Sequence, residues 1–162
     1  MKGKSYLRRE ILLSLKPKWY DLVTSGEKIF EYRKHFPLGK TKAYIYVSSP
    51  VKEIRSIMYF GDRISLSEWE TCYKNEDIRD RINRYQKNNN FAVPVEKVVD
   101  INSISLNDLR ENVHGFIAPQ MYYLLDNNPE LRNYLHGIEE KNVIIENDFG
   151  RIDKSDICKK YF

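Results

Sequence analysis

A chain of 162 residues with a net charge of +4 has the length of one domain and can close a single core without staples. Hydrophobic residues make up 41%, with 7 glycines besides, which excludes disordered, collagen-like and coiled-coil classes. No apolar run approaches the roughly 18 residues of a membrane span, MKGKSYLRRE has no apolar segment behind its charges, and Cys72 and Cys158 lie in no CxxC or Cys/His cluster. A cytoplasmic protein without zinc, other metal, cofactor or membrane partner is expected.

Charge is unevenly spread. Residues 1–55 hold 13 Lys or Arg against 5 Asp or Glu, net +8, and residues 56–162 hold 14 against 18, net −4. A local positive field steers phosphates while the remainder keeps the protein soluble, so the first third is where a polyanionic partner is expected. The plain alternative is a solvated basic face.

Residues 1–10 read as a basic arm. ILLSL (11–15) suits a buried strand. Pro17 fits the first turn of a helix whose apolar stripe is Trp19, Leu22 and Val23, and Gly26 ends it by admitting a left-handed residue. KIFEYRKH (28–35) reads as strand, Pro37-Leu38-Gly39 as a turn, and KAYIYVSSP (42–50) as a second strand stopped by Pro50. Another strand fits 53–64. Ser67 with Glu70 is a capping-box signature for a helix carrying Trp69 and Tyr73. Ile78, Ile82 and Tyr85 mark a further helix, broken at Asn88–Asn90. FAVPVEKVVDI (91–101) reads as strand, Ser105 caps a turn holding Leu106 and Leu109, and Asn128-Pro129 opens a helix with Leu131, Tyr134 and Leu135 before Gly137. Short strands with helices between and after them point to an α+β fold, a small mixed barrel decorated with helices, rather than a parallel βαβ repeat.

Most chemical motifs fail on spacing. Gly39-Lys40-Thr41 lacks the P-loop glycine five residues earlier, where Lys34 stands, and His35, His114 and His136 have no metal-ligand spacing. GEKIFEYRK (26–34) is different. Strand alternation sets Glu31 and Arg33 on one face and Lys28 with Phe30 and Tyr32 on the other, unless a bulge intervenes. One reading is an edge strand with an exposed Glu31–Arg33 pair worth at most about 1 kcal/mol. The other is a cleft wall where Lys28 and Arg33 meet phosphate or a base edge and Glu31 orients one of them.

The run ILLSLKPKWYDLVTSGEKIFEYRK (11–34) resembles the opening of the ASCH domain, a relative of PUA-like RNA-binding barrels, whose pattern GxKxxExR stands here as Gly26, Lys28, Glu31 and Arg33. YVSSP (46–50) is similar to the family's Y-x-S-x-P strand end, and APQMYYL (118–124) to its late Pro-Gln-aromatic segment. The resemblance implies a PUA-like β-barrel of five or six strands with a helix-lined cleft. It covers residues 11–125, with a helical insertion at about 65–90 and a helical extension over 126–162 packed on the same domain.

The function implied is a module, regulatory in role, that binds RNA, another nucleic acid or a modified nucleoside. Lys16, Lys28, Arg33 and the basic arm would supply phosphate or base contacts with Glu31 orienting them, Tyr46 a stacking face, and Ser48, Ser49 and Gln120 hydrogen bonds, which suits unpaired RNA. On the residues alone, Tyr46 fits barrel core equally well, Gln120 a helix cap, and Ser48-Ser49 a turn. Some small family members resemble amidohydrolases of N4-acetylcytidine, with lysine at the position of Lys28 and a nucleophilic threonine at that of Glu31. The competing class is therefore an enzyme using Lys28 and Glu31, such an amidohydrolase or a weak nuclease. A plain interaction domain is the third.

Overall fold

The computed structural model describes residues 8–150 and 152–161, so residues 1–7 of the expected basic arm lie outside it. The chain opens with β1 (Arg9–Leu15), α1 (Pro17–Thr24), β2 (Phe30–Arg33), β3 (Thr41–Val47) and β4 (Glu53–Phe60). After β5 (Ile64–Ser65) come α2 (Leu66–Cys72) and α3 (Glu76–Gln86), the long β6 (Phe91–Ser105), α4 (Leu106–Asn112) and β7 (Tyr122–Leu124). A 3-10 turn, α5 (Pro129–His136), β8 (Val143–Glu146) and a second 3-10 turn at Lys154–Asp156 complete it.

The strands form one mixed, curled sheet in the order β2-β6-β4-β3-β1-β7, with β5 and β8 also on β6. Among the described strands only β1 and β3 run parallel, in register from Arg9 opposite Thr41 to Leu15 opposite Val47. That pairing fits the consecutive apolar residues Ile11, Leu12 and Leu13 of β1. Both faces of the strand are covered, so alternation between apolar and polar residues disappears. Ile11, Leu13 and Leu15 enter one core cluster with Val23, Ile45 and Phe60, while Leu12 enters another.

The 15-residue β6 makes the curl possible. It pairs with β4 through two register shifts, between Ile54 and Ser56 and between Tyr59 and Phe60, and with β2 from Phe91 to Pro94. Such irregularities bend a strand and increase its twist. α4 and α5 cover one face of the sheet with Leu109, Leu131 and Leu135 against Leu12, Tyr44 and Ile54. α2 and α3 pack on β2, burying Phe30, Leu66, Trp69, Ile78 and Ile82. No helix among the described residues is long and apolar enough to cross a membrane.

Local signals differ from expectation at α2 and in the carboxy-terminal segment. α2 starts at Leu66 behind Ser65, so Ser67 lies inside the helix and the Ser67/Glu70 box makes no cap. The side-chain cap belongs to α3, where Asn75 Oδ1 accepts from Ile78 N at 3.2 Å. The segment expected to be a helical extension contains α5 but also β8, which adds antiparallel to β6. VIIE at 143–146 is a branched run suited to a strand.

Gly26 carries the geometry that opens the motif. Its φ is +84°, a left-handed conformation, and a Cβ there would lie 2.5 Å from Ile145 Cδ1 of β8. Gly26→Ala is expected to cost about 1–2 kcal/mol in denaturant titration. Glu27→Ala, at the exposed neighbour, should stay within about 0.5 kcal/mol of the parent.

Candidate functional site

Lys28 does not belong to a strand. Its N–H donates to Leu22 O at 3.0 Å, which folds residues 26–29 against the last turn of α1 before β2 begins at Phe30. Strand alternation therefore does not govern it, and the expected separation of Lys28 from Glu31 is overturned. Lys28 Nζ donates to Glu31 Oε1 at 2.5 Å, with each residue only 4% exposed. The Lys28 ammonium also lies 4.9 Å from the centroid of the Trp19 ring, a cation–π distance. Removing two charges from water costs several kcal/mol per ion, and only close geometry with further contacts offsets it.

The other carboxylate oxygen has no such satisfaction. Glu31 Oε2 is buried and without a hydrogen-bond partner among the described residues. Arg33 Nη1 stands 3.7 Å away, near enough for charge attraction but beyond hydrogen-bond length. A buried acceptor left open normally costs about 1–3 kcal/mol, and here it borders a cavity.

That cavity has a volume of about 680 Å³. Six of the residues singled out from sequence converge on it: Lys16, Lys28, Glu31, Arg33, Ser48 and Gln120. Lys16 precedes α1, Ser48 follows β3, and Gln120 precedes β7. Ser48 is fixed in a turn, its N–H donating to Leu15 O at 2.9 Å and its carbonyl accepting from Val51 N at 3.1 Å. Two of the expected residues lie elsewhere. Tyr46 shares the Tyr44 face of β3 and is packed with Leu12 and Ile54, so it offers no stacking face to the cavity. Ser49 is exposed outside the lining, next to the cis Ser49–Pro50 bond.

Sequence reasoning missed the aromatic wall. Trp19, expected in the core, is half-buried and lines the cavity together with Tyr32 and Tyr85. The carboxy-terminal segment secures all three. Tyr32 Oη accepts from Cys158 N at 2.8 Å, Tyr85 Oη donates to the Lys159 carbonyl, and Tyr161 packs edge-on against Trp19 with centroids 6.0 Å apart. Burial raises the phenols of Tyr32, Tyr85 and Tyr161 above the ordinary tyrosine value and pushes the Cys158 thiol up to about 12, so all four stay neutral at physiological pH. Arg84, Asn88 and Asn89, at and after the end of α3, complete that side. The periodicity of α3 and the asparagine run gave their positions; contacts made by residues over 70 positions away gave no local signal.

Among the described residues no group of three or more His, Cys, Asp or Glu could hold a metal. The site offers one open carboxylate oxygen, several cationic donors and aromatic rings.

Lys28→Met leaves the buried Glu31 carboxylate without its 2.5 Å partner and is expected to cost about 3 kcal/mol. Lys28→Met combined with Glu31→Leu should recover most of that loss. A double-mutant cycle measured by urea unfolding checks both values.

No family model matches the chain, and no curated protein matches it. Solved structures do. The crystal structure of ASCH from Zymomonas mobilis is similar with a TM-score of 0.59 and 22% identity, covering 82% of this chain and 98% of that one. A serine-to-alanine mutant of the same protein gives a TM-score of 0.58 at 22% identity over the same shares. A tyrosine-to-phenylalanine mutant gives 0.59 and 22% over 82% of this chain and all of that one.

Proposed function

We propose that this ASCH-like chain, an α+β fold of the PUA-like type, is a binding module that takes the base of an unpaired ribonucleotide or nucleoside into its cleft. The observation that carries this reading is Glu31 Oε2, a buried acceptor without a partner at the edge of an aromatic-lined cavity. The Watson–Crick edge of every nucleobase pairs an N–H donor with an adjacent acceptor. The donor satisfies Glu31, and the Arg33 guanidinium meets the acceptor. Trp19, Tyr32 and Tyr85 supply apolar ring surface, on which base stacking contributes about 1–3 kcal/mol. A cavity of about 680 Å³ lies within the usual range for small-ligand sites. Bases reach such a cavity only when splayed from a helix, which favours single-stranded RNA over a duplex.

The chemistry of the cleft fits binding better than hydrolysis. No hydroxyl stands at position 31, and Oε1 of the glutamate there is committed to Lys28. Amide hydrolysis would need a water activated by the remaining oxygen, which the Arg33 guanidinium already attracts. Purified protein incubated with N4-acetylcytidine is accordingly expected to release no cytidine at an enzymatic rate, on the order of 1 per second. Release that disappears in Glu31→Gln would replace this reading with the enzyme.

Calorimetric titration with the four ribonucleosides and a short single-stranded RNA tests the binding reading itself. Binding is expected for the RNA and for at least one nucleoside, and Arg33→Ala should weaken it by about 1–3 kcal/mol. Absence of binding to all of them at low salt would overturn the proposal.

A further inference from the structure

We propose that the cleft contains an anion subsite at its rim, formed by Lys16 and Arg84, and that its ligand is a phosphorylated nucleotide rather than a neutral nucleoside. This rests on the base-binding reading above and adds the ligand's charge. Four cations line the cavity, Lys16, Lys28, Arg33 and Arg84, against the single carboxylate of Glu31. Lys28 and Glu31 neutralise each other at 2.5 Å on the buried floor, and the same carboxylate is the only ion-pair partner of Arg33 among the described residues. The side chains of Lys16 and Arg84 are exposed and make no ion pair or hydrogen bond there. A net positive cavity whose charge is uncompensated at its mouth suits an anion.

The backbone agrees with that polarity. Lys16 is the residue before α1, makes no side-chain cap, and the first helical turn holds no acidic residue, so the positive end of the helix dipole is not offset. Two carbonyls at the end of α3 that would repel an anion if they were open are occupied: Arg84 O accepts from Lys87 N, and Tyr85 O accepts from Asn88 N, Asn89 N and Asn89 Nδ2. The order from floor to rim is then an open carboxylate oxygen, aromatic rings, and two free cations. A nucleotide has the same order: base N–H, flat ring, sugar, phosphate. A phosphate attached to a free nucleotide and one within a strand satisfy the rim equally.

The test is a comparison of affinities at low salt. Wild-type protein and Lys16→Gln/Arg84→Gln are titrated with each nucleoside, its 5′- and 3′-monophosphates, and a single-stranded hexaribonucleotide. Thermal melts of the variant confirm the fold, since both side chains are exposed. Wild type should prefer a phosphorylated form, free or in the strand, by about tenfold over the nucleoside, from two charge-assisted contacts at an exposed rim. The preference should collapse to about unity in the double variant and shrink with added salt. Equal affinity of wild type for nucleoside and every phosphorylated form would overturn the subsite while leaving base binding intact. Failure of every ligand to bind would overturn base binding, and the subsite with it.

Discussion

The buried contact between Lys28 and Glu31 is the constraint around which the rest of the site is arranged. An ion pair with each partner 4% exposed is expensive to assemble, and hydrophobic replacements of similar volume are often neutral or stabilising in such places. Here the pair is not closed. One glutamate oxygen takes the ammonium and the other is left facing a cavity with a guanidinium 3.7 Å away. Charges of both signs are thereby held at fixed positions in a site shielded from bulk water, where a hydrogen bond to the right ligand is strongest.

Distant parts of the fold maintain that arrangement. Gly26 turns the chain so that Lys28 can hang from the end of α1, and β8 presses Ile145 against the same glycine. β2, which carries Glu31 and Arg33, is held on one side by β6 and on the other by the layer of α2 and α3. The carboxy-terminal segment ties down Tyr32 and Tyr85 by their hydroxyls, which leaves their rings rather than their polar groups as lining. Preorganisation of this kind lowers the entropic cost of binding.

Much of the fold was legible because its elements obey local rules. Pro17 and Gly26 bracket α1, Asn128 caps α5 by accepting from Leu131 N at 3.1 Å, and Ser105 caps α4 by accepting from Asp108 N at 3.1 Å. The motif residues could be picked out because charges packed among aromatics are costly in a core strand. Their mutual geometry could not. Alternation assumes a strand through Lys28, and the hydrogen bond to Leu22 O removes that residue from it. Tyr46 shows the converse case: an aromatic in a motif-like segment followed ordinary alternation into the core beside Tyr44. Trp19, Tyr85 and the carboxy-terminal segment meet only in three dimensions, so no periodicity could reveal the wall they build.

The central claim is that Glu31 Oε2 is reserved for an N–H of the bound base. Proton NMR of a ¹⁵N-labelled ribonucleotide saturated with the protein addresses it directly. At least one base N–H should appear as a sharp, downfield resonance protected from exchange with water, and it should be lost with Glu31→Gln. Base N–H protons that all exchange as fast at saturation as in the free nucleotide would contradict the account.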